Sequence, residues 1–282
     1  MLKTERMDRV RAALRAQGLT QMIVCDPKSV WYLTGVAVEP YERLLALYLP
    51  TEGEPVLFLN RLFNVPEPPC RTVWHTDTDK PVAQIAEVVD AGRPLGIDKE
   101  WPAKFLIPLM ETHPGMQVVL SSDCVDDCRA CKDAEEQTLM REASRINDAV
   151  NEAAKHYIKA GMTEREVAEF IGAQFRAHGC EGPSFTTIVS FGANTADPHH
   201  EPDDTVLKEG DCVLFDMGCV KSRYCSDMTR TWFCGQPTEK QAAVHDLVRR
   251  ANEAAEALIK PGVRLCELDA AARGLITEAG YG

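Results

Sequence analysis

The amino-acid sequence predicts an α/β protein of two domains: an α/β domain over residues 1–130, followed by an α+β domain over residues 131–282. Three observations point there. A chain of 282 residues exceeds one small core and suits two domains of roughly 100–200 residues each. The first 130 positions alternate helical patterns with short apolar runs. The remainder contains an internal repeat in which paired helices precede strands.

In the first domain, Val10 and Leu14 mark the apolar side of an opening helix. Met22–Cys25, Leu44–Leu49, Val56–Leu59 and Leu95–Ile97 are short enough, and bounded closely enough by turn residues, to be strands. Helices interleaved with strands in this order give an α/β layer arrangement. The polar stretch from Ser121 to Glu136 is the expected boundary. It contains Cys124, Cys128 and Cys131, whose C-x3-C-x2-C spacing can hold an iron–sulfur cluster. A possible N-cap at Asp123 and the charged run after Lys132, with no Gly-rich loop, favour helix packing for these cysteines.

A helix from about Ala134 to Lys159 opens the second domain, with Ile146, Val150, Ala154 and Tyr157 as its apolar face. Its end, NEAAKHYIKAG at 151–161, recurs as NEAAEALIKPG at 252–262 with seven of eleven positions identical. The match continues without gaps: Glu166 aligns with Glu267 and Gly179 with Gly280, an offset of 101 throughout. Each copy is therefore a helix, a glycine break, a second helix and a glycine stop. Thr163 and Glu166 make a capping box in the first copy. Strands follow that copy at Phe185–Ser190, Cys212–Asp216 and Tyr224–Phe233. The sequence runs only two residues past Gly280, so the second copy is expected to lack its strands, as in a truncated reading frame.

Composition narrows the class of function. A net charge of −12 offers little attraction for nucleic acid or an anionic membrane surface, which need clustered Lys and Arg. No stretch approaches the roughly 20 apolar residues of a membrane span, and the N-terminus has no apolar signal core. Eleven cysteines, an odd number spread along the chain, suit a reducing compartment, so a cytoplasmic protein is expected. Small ligands and cations are the better partners for such a surface.

The chemistry concentrates in DCVLFDMGCVKSRYCSDMTRTWF at 211–233, two apolar stretches around a polar centre that predict an antiparallel hairpin. A turn centred between Lys221 and Ser222 would set Asp216 directly opposite Asp227. Like charges at facing positions repel, and a bound cation reverses the sign of that interaction. A carboxylate following Val213, Leu214 and Phe215 is also costly to bury unpaired. Both aspartates are thus candidate metal ligands, with a solvated strand carboxylate or an ion pair to Arg230 as the plainer alternative. Upstream, His199 and His200 sit in GANTADPHHEPDD, a loop of the kind in which functional residues gather.

The run PHH, then LKEGDCVLFDMG, then YCSDMTRTWF resembles the pita-bread metallopeptidases, the Xaa-Pro dipeptidases and aminopeptidases P, with creatinase as a cousin that works without metal. DPKSVWYLTG at 26–35 resembles the creatinase-type N-terminal domain, so the resemblance covers nearly the whole chain. It implies a creatinase-like N-terminal domain before an incomplete pita-bread domain. It also implies two divalent ions (Mn, Co or Zn) held by two hairpin aspartates eleven residues apart, a later His and two Glu; Asp216 and Asp227 match the first two. The family's substrate-contacting histidine, which helps move protons, falls on His199, seventeen residues before Asp216, and not on His200.

Carried over, the resemblance implies a metal-dependent exopeptidase acting on short peptides, plausibly at Xaa-Pro bonds, and a homodimer. The N-terminal domain would shape the substrate entrance, although Trp31, Tyr32 and Arg43 there are better explained by packing. With two aspartates alone, this chain is expected to retain metal weakly and to be inactive. A creatinase-like C–N hydrolase and a non-catalytic binding module are the alternatives.

Overall fold

The computed structural model describes residues 2–281. These divide into two compact units, one ending at Lys132 and the other beginning at Asp133.

The first unit is a six-stranded mixed sheet with helices on both faces. Its strands are β1 (Gln21–Val24), β2 (Ala46–Pro50), β3 (Val56–Asn60), β4 (Arg71–His75), β5 (Leu95–Ile97) and β6 (Val118–Leu120), in the order β4-β3-β2-β1-β5-β6. Its helices are α1 (Thr4–Ala16), α2 (Pro27–Thr34), α3 (Pro81–Ala86), α4 (Ala103–Thr112) and α5 (Asp123–Ala130). Met22 and Val24 of β1 point into a core shared with α1, α2 and α5, while Ile23 points into a second core against α3 and α4. Coverage of both faces explains why the central strands read as continuous apolar runs. The two edge strands escape that pattern. In β4 (RTVWH) only His75 is fully buried, and β6 is three residues long with Leu120 exposed.

Helix α2 starts and stops on strong local signals. The Asp26 side chain accepts from the backbone N–H groups of Lys28 and Ser29, Pro27 occupies the first turn, and Gly35 closes the helix at φ 75°. The cysteine segment is helical, but it begins one residue earlier than a cap at Asp123 requires, since Ser122 is the preceding residue and Asp123 lies inside the first turn. Cys124 and Cys128 are buried in the first core and Cys131 is exposed. Burial pushes the Cys124 thiol up to about 11. Tyr32 is buried in the same core, its hydroxyl donating to the Cys128 carbonyl, while Arg43 pairs with Asp77.

The second unit opens with α6 (Ala134–Tyr157), capped by a reciprocal Asp133–Glu136 box. Its buried face is Ala143, Asn147, Val150, Asn151 and Ala154, rotated slightly from the expected one; Tyr157 instead stacks on Phe170 near the surface. α7 (Glu164–Ala177) carries the predicted Thr163–Glu166 capping box. α8 (Glu239–Glu256) has its own box from Thr238 and Gln241, and α9 (Leu265–Glu278) begins and ends 101 residues after α7. Gly161, Gly179, Gly262 and Gly280 all have positive φ, so the repeat preserves its backbone breaks as well as its helices.

Between the helix pairs lie two three-stranded sheets. β8 (Ile188–Phe191), β9 (Cys212–Met217) and β12 (Met228–Phe233) form one in the order β12-β9-β8. β7 (Gly182–Pro183), β10 (Cys219–Lys221) and β11 (Tyr224–Cys225) form the other in the order β11-β10-β7. The hairpin is present, but its turn is one residue further on than symmetry suggests. Ser222 and Arg223 both have positive φ, at 51° and 66°, as a two-residue type I′ turn requires. Lys221 consequently faces Tyr224, and Asp216 faces Thr229 in place of Asp227.

The strands also break in mid-hairpin, at Gly218 and Ser226. Ser184 donates its N–H to the Gly218 carbonyl at 3.0 Å and its hydroxyl to the Ser226 carbonyl at 2.7 Å. The Ser226 hydroxyl in turn accepts from the Cys219 N–H. A Cβ on Gly218 would overlap the Ser226 carbonyl and the Ser184 hydroxyl, so glycine is required by close approach and not by φ. Gly218→Ala should lower stability by about 1–3 kcal/mol, the range for overpacking. Urea unfolding of the variant checks this, and an unchanged midpoint would show that the break can relax.

Candidate metal centre

The shifted turn leaves both aspartates on one face of the sheet. Side chains alternate along β9: Val213, Phe215 and Met217 enter the core, whereas Cys212, Leu214 and Asp216 face the half-open side. A shift of the turn by one residue moves the cross-strand partner by two positions, and two positions preserve the face. Asp227 is thus a diagonal neighbour of Asp216, beside Thr229 and not in its place.

The Asp216 carboxyl is raised above the usual aspartate value. Burial is the largest cause, the Thr229 hydroxyl hydrogen bond partly offsets it, and the nearby Asp227 carboxyl pushes it further up. Its Oδ1 atom is buried without a hydrogen-bond partner. Asp227 is exposed at the strand break and shares a cavity wall with Asp148 and Asn147 of α6. Asn147 is itself buried and donates to the Met217 carbonyl at 2.9 Å, tying α6 to the residue after Asp216.

The histidine loop runs from Phe191 through a 3-10 turn, Gly192–Ala196, to Asp203. His199 is exposed, its backbone N–H donating to Asp197 Oδ1 and its ring making no hydrogen bond among the described residues. His200 is half-buried and its Nε2 lies 2.6 Å from Oε2 of Glu164, which is fully buried at the first position of α7. Glu164, His200 and Asp203 come close enough together to suggest a cation site of their own. The hydrogen bonding argues otherwise. Glu164 Oε1 accepts from the Phe191 N–H and Asn194 Nδ2, and Oε2 from His200 Nε2 and the Asp203 N–H. Four donors occupy the approximately four lone-pair positions of a carboxylate. Among the described residues, the orphaned carboxylate oxygen that fits a cation is the one on Asp216.

Of the three residues singled out from sequence, Asp216 and Asp227 lie together, while His199 lies on the adjoining loop. Sequence reasoning did not reach Glu164, Asn147 or Thr229. A Glu directly after a Thr N-cap reads as an ordinary first-turn acid favoured by the helix dipole, and nothing local shows that it is buried. Asn147 left a usable signal, a polar residue spaced between Ala143 and Val150 on the buried stripe of α6.

This arrangement is that of a metallopeptidase. Residues 138–282 match Metallopeptidase family M24 and residues 6–131 match the Creatinase/Prolidase N-terminal domain; the chain belongs to family M24. The Bacillus subtilis protein YkvY, which carries a provisional dipeptidase designation, is 33% identical over 98% of this chain and 79% of its own length. The crystal structure of a prolidase from Thermococcus sibiricus superposes with a TM-score of 0.91 at 30% identity, covering 100% of this chain and 79% of that one. Dipeptidase PepE from Mycobacterium ulcerans gives a TM-score of 0.90 at 31% identity, covering 98% of this chain and 76% of its own. No helix among the described residues is long and apolar enough to cross a membrane.

A raised carboxyl pKa has a definite sign in stability. Folding favours the protonated form of Asp216, so its contribution is fully present below the ordinary aspartate value and is lost as pH rises through the raised value. In chelator, Asp216→Asn should therefore gain stability over the unsubstituted protein as pH is raised from about 4 toward 7. Thermal unfolding across that range is the measurement, and a difference independent of pH would show that Asp216 ionises normally.

Proposed function

We propose that this M24 metallopeptidase is a dipeptidase that cleaves short peptides, with Xaa-Pro bonds as its targets. In this reading Asp216 and Asp227 supply two ligands to a pair of divalent ions, and His199 contacts the substrate and moves a proton during cleavage. The observation that carries it is the Asp216 carboxylate, buried with an unpartnered Oδ1 and raised in pKa beside a second carboxyl. Such a group gains most from a cation, because the cation offsets both the lost hydration and the repulsion. The substrate class is drawn from the prolidase and dipeptidase relatives.

When bound, divalent ions supply Lewis acidity to the scissile carbonyl and acidify the attacking water. The remaining work falls to side chains of this chain. Thr229, hydrogen-bonded to Asp216, fixes the direction of that carboxylate. Asn147, through the Met217 carbonyl, fixes the strand that carries it. His199, exposed at the loop tip with its ring unengaged, is placed to exchange a proton with a bound peptide. Mn²⁺, Co²⁺ and Zn²⁺ all suit carboxylate sites completed by imidazole, and Mn²⁺ is our choice among them.

We place the protein in the cytoplasm as a homodimer, the first because eleven cysteines suit a reducing compartment. Cell fractionation and sedimentation equilibrium test these two points.

Equilibrium dialysis with Mn²⁺ tests the ligands: Asp227→Ala should bind at least about tenfold more weakly, as expected when an anionic partner worth 1.4 kcal/mol or more is removed. Equal binding by variant and parent would remove Asp227 from the site. His199→Ala should leave metal binding unchanged and, in protein whose site is completed by the later His and two Glu that the family resemblance implies, lower kcat on an Xaa-Pro dipeptide by about 10²–10⁴, the usual worth of proton transfer.

A further inference from the structure

We infer that Glu164 and His200 form a clamp that positions His199, so that two adjacent histidines divide the work between anchoring the loop and meeting the substrate. The inference rests on the reading of His199 given above.

The loop leaves β8 at Phe191 and returns at Asp203, and one buried carboxylate holds both ends. Oε1 of Glu164 accepts from the outgoing limb, the Phe191 N–H at 2.7 Å and Asn194 Nδ2 at 3.0 Å. Oε2 accepts from the returning limb, His200 Nε2 at 2.6 Å and the Asp203 N–H at 3.1 Å. The same helix end fixes the loop by its backbone: the Glu164 N–H donates to the Thr205 carbonyl and the Arg165 N–H to that of Asp203. Glu164 and Phe191 are both buried, so the Phe191 N–H has no water as a ready substitute if the carboxylate is lost. Both Glu164 oxygens already accept from N–H groups, so the His200 tautomer that fits this pair carries its proton on Nε2. With the ring of His200 committed inward, the next residue back, His199, is left facing solvent.

Glutamine is the informative replacement at 164. Its carbonyl can serve one limb, but its amide N–H₂ then faces donors on the other, so a change of equal size breaks half of the clamp. At position 200 the logic reverses. Gln retains an N–H donor toward Glu164, and Ala does not.

Amide hydrogen exchange and side-chain histidine NMR on the protein test this together. Glu164→Gln and His200→Ala should each speed exchange of amides 192–203 at least tenfold, leave β9 and β12 amides unchanged, and move the His199 ring resonances. His200→Gln should restore both. Unchanged loop exchange in His200→Ala, or a loosened loop with unmoved His199 resonances, would overturn the clamp; should Glu164→Gln fail to fold, the pair at position 200 decides alone. The underlying reading fails separately: if His199→Ala leaves both the affinity for an Xaa-Pro dipeptide and the kcat of protein with its metal site completed unchanged, His199 is outside the chemistry whatever the exchange shows.

Discussion

Holding the Asp216 carboxylate beside Asp227 costs free energy twice, once because water is withdrawn from the first and again because the second carries the same charge. Strands left to pair freely would keep such residues apart. What prevents this is a chain of local constraints, each legible in the geometry. Two left-handed residues, Ser222 and Arg223, set the hairpin register. A glycine at 218 admits the Ser184 and Ser226 contacts that split the hairpin in two. An asparagine on α6 secures the carbonyl next to Asp216. The packing of Phe215 against Trp232 and the burial of Val213 and Met217 supply the apolar burial that opposes the electrostatic cost.

The histidine loop shows the opposite use of a carboxylate. Glu164 is more deeply buried than Asp216, yet every lone-pair position it has is met by a donor, and it sits where a helix N-terminus favours negative charge. One acid is satisfied, as an anchor requires; the other is left short of partners, as a metal ligand requires. Proximity to other ligand-type residues does not separate these cases, whereas counting donors does.

Much of this was legible in the sequence. The repeat offset located α9 to the residue once α7 was known, because a duplicated segment keeps its caps and glycine breaks. The interior strands of the first sheet announced themselves by unbroken apolar runs, while β4 and β6 did not, since edge strands are only partly buried. The aspartate pair followed from spacing and parity, and its face survived an error in the turn because the error moved the partner by two residues. Register itself was out of reach: Ser-Arg is not a composition that favours positive φ, so nothing local announces the turn that sets it. Glu164 was out of reach for a different reason, since its partners are 27 to 39 residues away.

The two helix pairs share a backbone plan but not a first-turn residue. Where α7 begins with the buried carboxylate Glu164, α9 begins with the apolar Leu265 on the same backbone frame. A doubled segment can thus specialise through one position without disturbing its frame. In the first copy a carboxylate at that position ties down the loop that follows β8. Ancestry is recorded in the glycines and vocation in the residue that follows the cap.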